Sequence, residues 1–138
     1  MKSALILIGV IAVTVIQAAI AIPADMDDTV RAKVSEVTTG FEALAQSACE
    51  YHAATGQFPA QDFPIRDLVA LSQSYGTFSC LARASKDDIT YRFTFNNVIS
   101  SSLNGCTLDM KITYNPSEGY VKRWLSTSTL PEGLRPRN

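Results

Sequence analysis

The chain has one histidine, one tryptophan and three cysteines in 138 residues, and no two cysteines are spaced as C-x-x-C. Cys49, Cys80 and Cys106 together with His52 are too few and too scattered for a zinc or redox centre, so no metal and no cofactor are expected. Charge of one sign is also lacking. Twelve basic residues against 13 acidic ones give a formal net charge of −1, so no global field draws the chain to nucleic acid or to an acidic partner. No internal repeat and no low-complexity tract is present, which sets solenoids and long linkers aside. The serine-rich runs at Ser100-Ser101-Ser102 and at Ser126 to Thr129 lack the strand-to-helix elbow of a nucleophilic serine and read as solvated loops. His52 has no nucleophile or second ligand beside it and reads as a surface or partly buried histidine. An enzyme is not expected, and neither is a small-molecule substrate.

What the chain does have is an apolar run at its front. Ala4 to Ile22 reads ALILIGVIAVTVIQAAIAI, with Thr14 and Gln17 as the only polar interruptions. As a helix it nearly crosses a hydrocarbon core of about 30 Å. The same run fits a signal peptide, with Lys2 as the basic start and Ala19-Ile20-Ala21 as a small-x-small cleavage site. Both readings export the chain and place its cysteines where disulfides persist. After removal of such a tract a little over a hundred residues remain, enough for one small core.

Periodicity assigns the rest. Val30, Val34, Val37, Phe41, Leu44, Ala48 and Tyr51 recur at spacings of 4, 3, 4, 3, 4 and 3 and define one face of a helix ending near Thr55-Gly56. Residues 56–76 read as a loop with one short helix from about Ile65 to Leu71. From Thr77 the period becomes two. Phe78, Cys80 and Ala82 alternate with polar or outward positions, as do Ile89, Tyr91, Phe93 and Phe95, and Leu108, Met110, Ile112 and Tyr114. A fourth strand spans roughly Tyr120 to Ser126, and a proline-punctuated tail, LPEGLRPRN, comes after it. The predicted fold is α+β: a long N-terminal helix packed on a four-stranded antiparallel meander.

Three stretches resemble the type IV pilins. AAIAIPADMDDTVRAKVSEV is similar to the family pattern AAIAIPAYxDYTxRAxVSEA, EYHAATGQFP to EYYxxNGxFP, and ITYNPSEGYVKRWLSTSTLPEGLRP to the order L-x-Y-x-P, G-x-V-x-W-x-C, L-P-x-x-x-x-P. They lie at both ends of the chain in the family's order, and the middle, Asp62 to Asn104, matches only in general pattern. The resemblance implies that Pro23 sits as a bend inside one continuous helix, with residues 1–24 as the transmembrane and later filament-core half. It implies a globular head over 25–138, divided into helix 25–55, loop 56–76, and sheet and tail 77–138. Leu5, Ile8, Ile11, Val15, Ile20 and Pro23 are then the assembly helix. The partners implied are further copies of the chain in a helical filament, and the inner membrane before assembly.

The departures from the family are specific. Alignment on Pro23 places Met1 at the glycine before the processing site, Lys2 at the methylated phenylalanine and Ile6 at the glutamate, so the prepilin peptidase motif is missing. Ser126 stands at the cysteine of W-x-C, so the family's loop-closing disulfide is not expected. Asp25 and Asp28 replace tyrosines. Cys80 and Cys106 share parity with the inward residues Phe78 and Leu108, and Cys49 lies beside the helix stripe. A bridge using Cys80 is expected, worth about 2 to 4 kcal/mol, with its partner left open.

The expected function is that of a structural subunit of a type IV pilus-like extracellular filament serving adhesion, motility or DNA uptake, anchored in the membrane before assembly. Two alternatives stay open. One is a DNA-binding minor pilin using Lys122, Arg123, Arg135 and Arg137 beside Tyr120 and Trp124, through phosphate contacts and stacking. The other is a soluble pilin-like binding module released by cleavage after Ala21.

Overall fold

The computed structural model describes residues 28–138. The expected bend at Pro23, the assembly residues Leu5, Ile8, Ile11, Val15 and Ile20, and the 1–24 segment lie outside the described residues. Helix α1 spans Asp28–Thr55, followed by strands β1 (Gly76–Ser85), β2 (Asp88–Phe95), β3 (Thr107–Asn115) and β4 (Gly119–Trp124). The strands form one antiparallel sheet in the order β1-β2-β3-β4. The architecture is therefore α+β, a helix followed by a four-stranded antiparallel meander. Among the described residues no helix is long and apolar enough to cross a membrane.

Helix α1 is described from Asp28 onward. It closes at Gly56, which takes φ +85° and donates its N–H to His52 O at 2.7 Å. Its buried face is Val30, Val34, Val37, Phe41, Leu44, Ala45, Ala48 and His52. The expected stripe ends instead at Tyr51, which is half-buried and meets Phe63 edge-on. A strict 3.5-residue repeat drifts by about 20° per heptad on a straight helix. Over three heptads that drift rotates Tyr51 off the sheet and brings His52 onto it.

The sheet's inward face is Ile89, Tyr91, Phe93 and Phe95 from β2 and Leu108, Met110 and Ile112 from β3, all buried. Phe41 of the helix stands edge-on to Phe78 of β1 at 5.0 Å and to Trp124 of β4 at 5.1 Å, so one ring ties both outer strands to the helix. The expected alternation fails in β1 after Cys80. Cys80 faces Tyr91 and Ala82 faces Thr90, two residues against one, and the bulge reverses the parity of the strand beyond it. Ala82 is consequently exposed, and Arg83 turns in to donate from Nε to Phe58 O at 3.2 Å.

Two connections differ from what their sequences suggest. The helix expected at Ile65 to Leu71 is only a 3₁₀ turn, Ile65–Asp67, entered from Pro64. The tail after β4 is part of the core: Leu130 and Leu134 are buried. It lies along β3, with Leu125 N–H donating to Asp109 O and the N–H groups of Thr129 and Leu130 both donating to Thr107 O, each at 3.0 Å. Beside it Asp109 is fully buried. Arg92 holds its carboxylate at 2.8 and 2.9 Å, and the Thr127 hydroxyl donates to it at 2.6 Å.

Two substitutions test this packing by urea unfolding followed on the single tryptophan. Gly76→Ala places a Cβ 2.0 Å from Thr94 O, a backbone overlap no rotamer relieves, and is expected to destabilise by about 2 kcal/mol or more. Asp109→Ala strands Arg92 and Thr127 and is expected to cost about 3 kcal/mol. A loss below about 0.5 kcal/mol in either case contradicts these contacts.

Candidate functional site

The four basic residues singled out in the sequence fall at three places. Strand alternation turns Tyr120, Lys122 and Trp124 of β4 toward α1, level with Tyr114, Ile112 and Met110 of β3. Lys122 is ion-paired there with Glu42 of the helix. Arg123 points the other way, opposite Lys111, which reaches Asp88 at 3.4 Å. Arg135 and Arg137 meet in a cleft of about 700 Å³ that also takes in Trp124, Ser126, Glu132 and Asn138. Arg135 donates from Nε to Leu130 O at 2.6 Å, which holds the guanidinium in place. The structure brings together Arg135, Arg137 and Trp124 and separates them from Lys122 and Arg123. The two guanidinium groups make this end of the cleft basic, and the Glu132 carboxylate lines it as well.

The three cysteines are free thiols on three separate elements. Cys49 lies on the flank of α1 near Lys122, Cys80 faces Tyr91 across β1 and β2, and Cys106 precedes β3, where its carbonyl accepts from Phe95 N–H. Burial raises the thiol pKa of Cys49 and of Cys80, which keeps both protonated and slow as nucleophiles.

Sequence reasoning missed the polar cluster around His52. The expected surface or partly buried histidine is 6% exposed. Its Nε2 is 2.7 Å from Asp87 Oδ1 and its Nδ1 2.8 Å from the Tyr120 hydroxyl. The carboxylate only accepts, so Nε2–H donates to Asp87, and Nδ1 is hydrogen-bonded with the Tyr120 hydroxyl. Phe58 and Tyr114 pack against the imidazole at ring distances of 4.7 and 4.6 Å. The order carboxylate, imidazole, hydroxyl is that of a relay, yet desolvation and then the nearby negative charges raise the Tyr120 pKa, so its phenol stays protonated. The cluster ties α1, the β1–β2 turn and the start of β4 together. The four-residue step from Ala48 to His52 was the one sequence signal available.

The serine-rich run after β4, expected as a solvated loop, is partly buried. Ser128 is buried, and its hydroxyl accepts from Asp109 N–H at 2.9 Å and donates to Leu125 O at 2.8 Å. Among the described residues no three ligand-type side chains are grouped to hold a metal ion.

Both structural carboxylates make stability pH-dependent in one direction. The His52 bond, then Lys86, lowers the Asp87 pKa. For Asp109 desolvation pushes upward, but the bonds from Arg92 and Thr127 outweigh it and the net shift is down. A carboxylate with a lowered folded pKa stabilises fully above its unfolded value of about 4 and loses that contribution as pH falls through the folded value. The urea midpoint should therefore change little on these groups' account from about pH 7 to 5 and fall below about 4. Asp87→Asn should flatten part of that acid limb, and an unchanged limb would remove Asp87 from the explanation.

No family model, no curated protein and no solved structure matches the chain.

Proposed function

We propose that the chain is a structural, non-enzymatic subunit of a type IV pilus-like extracellular filament, held in the membrane by residues 1–24 before assembly and presenting residues 25–138 as its head. The observation that carries this reading is a continuity. Only five residues, PADMD, separate the apolar tract ending at Ile22 from Asp28, from which α1 is described. An apolar tract this close in sequence to the helix spine of a small α+β head suits a filament subunit. The resemblance of AAIAIPADMDDTVRAKVSEV, EYHAATGQFP and the C-terminal stretch to the type IV pilins supports the same reading.

Assembly then rests on burial of apolar tract surface, at about 25 cal/mol per Å². Several hundred Å² per subunit would supply on the order of 10 kcal/mol before ordering costs. Such a filament resists salt, because screening acts on exposed charge and not on apolar contacts. Electron microscopy of sheared surface material, with the mass of the exported chain, is expected to show filaments built from subunits that retain the tract. They should dissociate in detergent and persist in moderate NaCl. Filaments that fall apart in NaCl alone refute the assembly mechanism. A mature chain beginning at Ile22 refutes the filament reading and leaves a soluble exported module.

The cleft formed by Trp124, Arg135 and Arg137 favours a second reading, a minor subunit that binds DNA. Filter binding of labelled DNA should weaken in Arg137→Ala and hardly change in Lys122→Ala, since Lys122 is taken up by Glu42. Equal retention of DNA by the wild type and Arg137→Ala discards this reading.

A further inference from the structure

The two edges of the sheet are protected differently. β4 carries Lys122 and Arg123, and its free side is occupied at Trp124, whose N–H donates to Asn138 Oδ1 at 2.5 Å and whose carbonyl accepts from Asn138 Nδ2 at 3.2 Å. At β1 the turn Ile65–Asp67 lies beside the strand, but among the described residues only the Gln61 amide gives its edge a hydrogen bond. Gly76 to Ala82 contains neither a charge nor a proline, the usual means of blunting an exposed strand.

The hydrogen-bond phase of β1 follows from one contact. Asn96 N–H donates to Tyr75 O at 2.8 Å. Antiparallel alternation then turns the N–H and C=O of Thr77 and Ser79 toward β2, and those of Phe78 and Cys80 outward. From Gly76 to Leu81, the only group of another element bonded to this edge among the described residues is the Gln61 amide, on Leu81 O at 3.4 Å.

A groove of about 280 Å³ runs beside the edge, lined by Phe63, Ile65, Arg66, Phe78, Ser79 and Cys80 among others. Successive side chains of a strand point to opposite faces, so three consecutive residues line one groove only where it follows the strand's edge. Its floor is apolar at Phe63 and Phe78. Arg66 stands exposed at the rim and pairs with no acid among the described residues. Asp67 follows Arg66 but does not line the groove.

We propose that the β1 edge from Phe78 to Cys80 receives an extended peptide segment of a partner protein by strand addition, with an apolar side chain on the Phe63 and Phe78 floor and a carboxylate against Arg66. Outward N–H and C=O groups repeating every second residue are matched by another extended backbone. The flat part of the edge is short, because the bulge begins at Cys80. The chain's own residues 63–66 and 73 already wall the far side of the groove, and a single extended segment is the narrowest occupant for the space left. This inference concerns the head alone and does not depend on the filament reading.

The test uses the full chain, ¹⁵N-labelled in detergent micelles, with a capped peptide of alternating valine and threonine bearing one central aspartate. In the free chain the amides of Phe78 and Cys80 should exchange rapidly while those of Thr77 and Ser79 are protected. At saturation Phe78 and Cys80 should become protected. Two peptides N-methylated on alternate residues, in opposite phase, should differ, one binding and the other not. Arg66→Ala should weaken the aspartate peptide about threefold and leave an asparagine version unchanged. The proposal is overturned if Phe78 and Cys80 stay unprotected up to the peptide's solubility limit, or if both methylated peptides bind alike. It is overturned equally if those amides become protected on raising the chain's own concentration, since the occupant is then a second copy.

Discussion

Everything in the head is arranged around the burial of one face of α1 against one face of the sheet. A two-layer α+β unit has a single interior, and here the helix stripe from Val30 to Ala48 supplies one side of it and β2 and β3 the other. Phe41 is the centre of that contact because it reaches Phe78 on one outer strand and Trp124 on the other. A ring that touches both outer strands fixes where the helix crosses the sheet as well as the fact that it does. The positions of Lys122, Tyr120 and Trp124 are set by the same contact, since strand alternation sends all three to the helix side once Trp124 is packed on Phe41.

The tail completes the unit by a different kind of interaction. After β4 the chain could have left the sheet, yet it runs back along β3 and inserts Leu130 and Leu134 into the core. Its register is held by polar groups: Asp109 carries Arg92 and Thr127 on its carboxylate and Ser128 at its backbone N–H. A buried carboxylate with that many donors is a satisfied group, and its lowered pKa expresses the same fact. By folding the tail back, this network also gathers Arg135 and Arg137 beside Trp124. The cleft at this end of the head is thus a consequence of how the tail is anchored.

At the other end, His52, Asp87 and Tyr120 form a second polar tie, between the last turns of the helix and two hairpins. Helix ends and hairpin turns lie where the apolar core thins out, and directional bonds there replace packing that aliphatic side chains no longer supply. The two ties bracket a core in which the sheet's edges remain unequal: β4 is charged and bonded to Asn138 at Trp124, whereas β1 from Gly76 to Cys80 carries no charge and its outward groups meet no hydrogen-bond partner among the described residues.

The local periods in the sequence were sufficient for the helix, for four strands in meander order and for most of the inward residues. Period and turn chemistry are properties of neighbouring residues, and between Val30 and Trp124 the chain expresses them except at the β1 bulge, the last turn of α1 and the 56–76 connection. Long-range pairings decided the rest. Nothing near His52 in sequence names Asp87 or Tyr120, nothing near Asp109 names Arg92 or Thr127, and the bulge that exposes Ala82 depends on what β2 places opposite it. Lys122 and Arg123 are adjacent in sequence and on opposite sides of a strand. Such partners are separated by 17 to 68 positions, and only closure of the sheet under the helix brings them within hydrogen-bond reach.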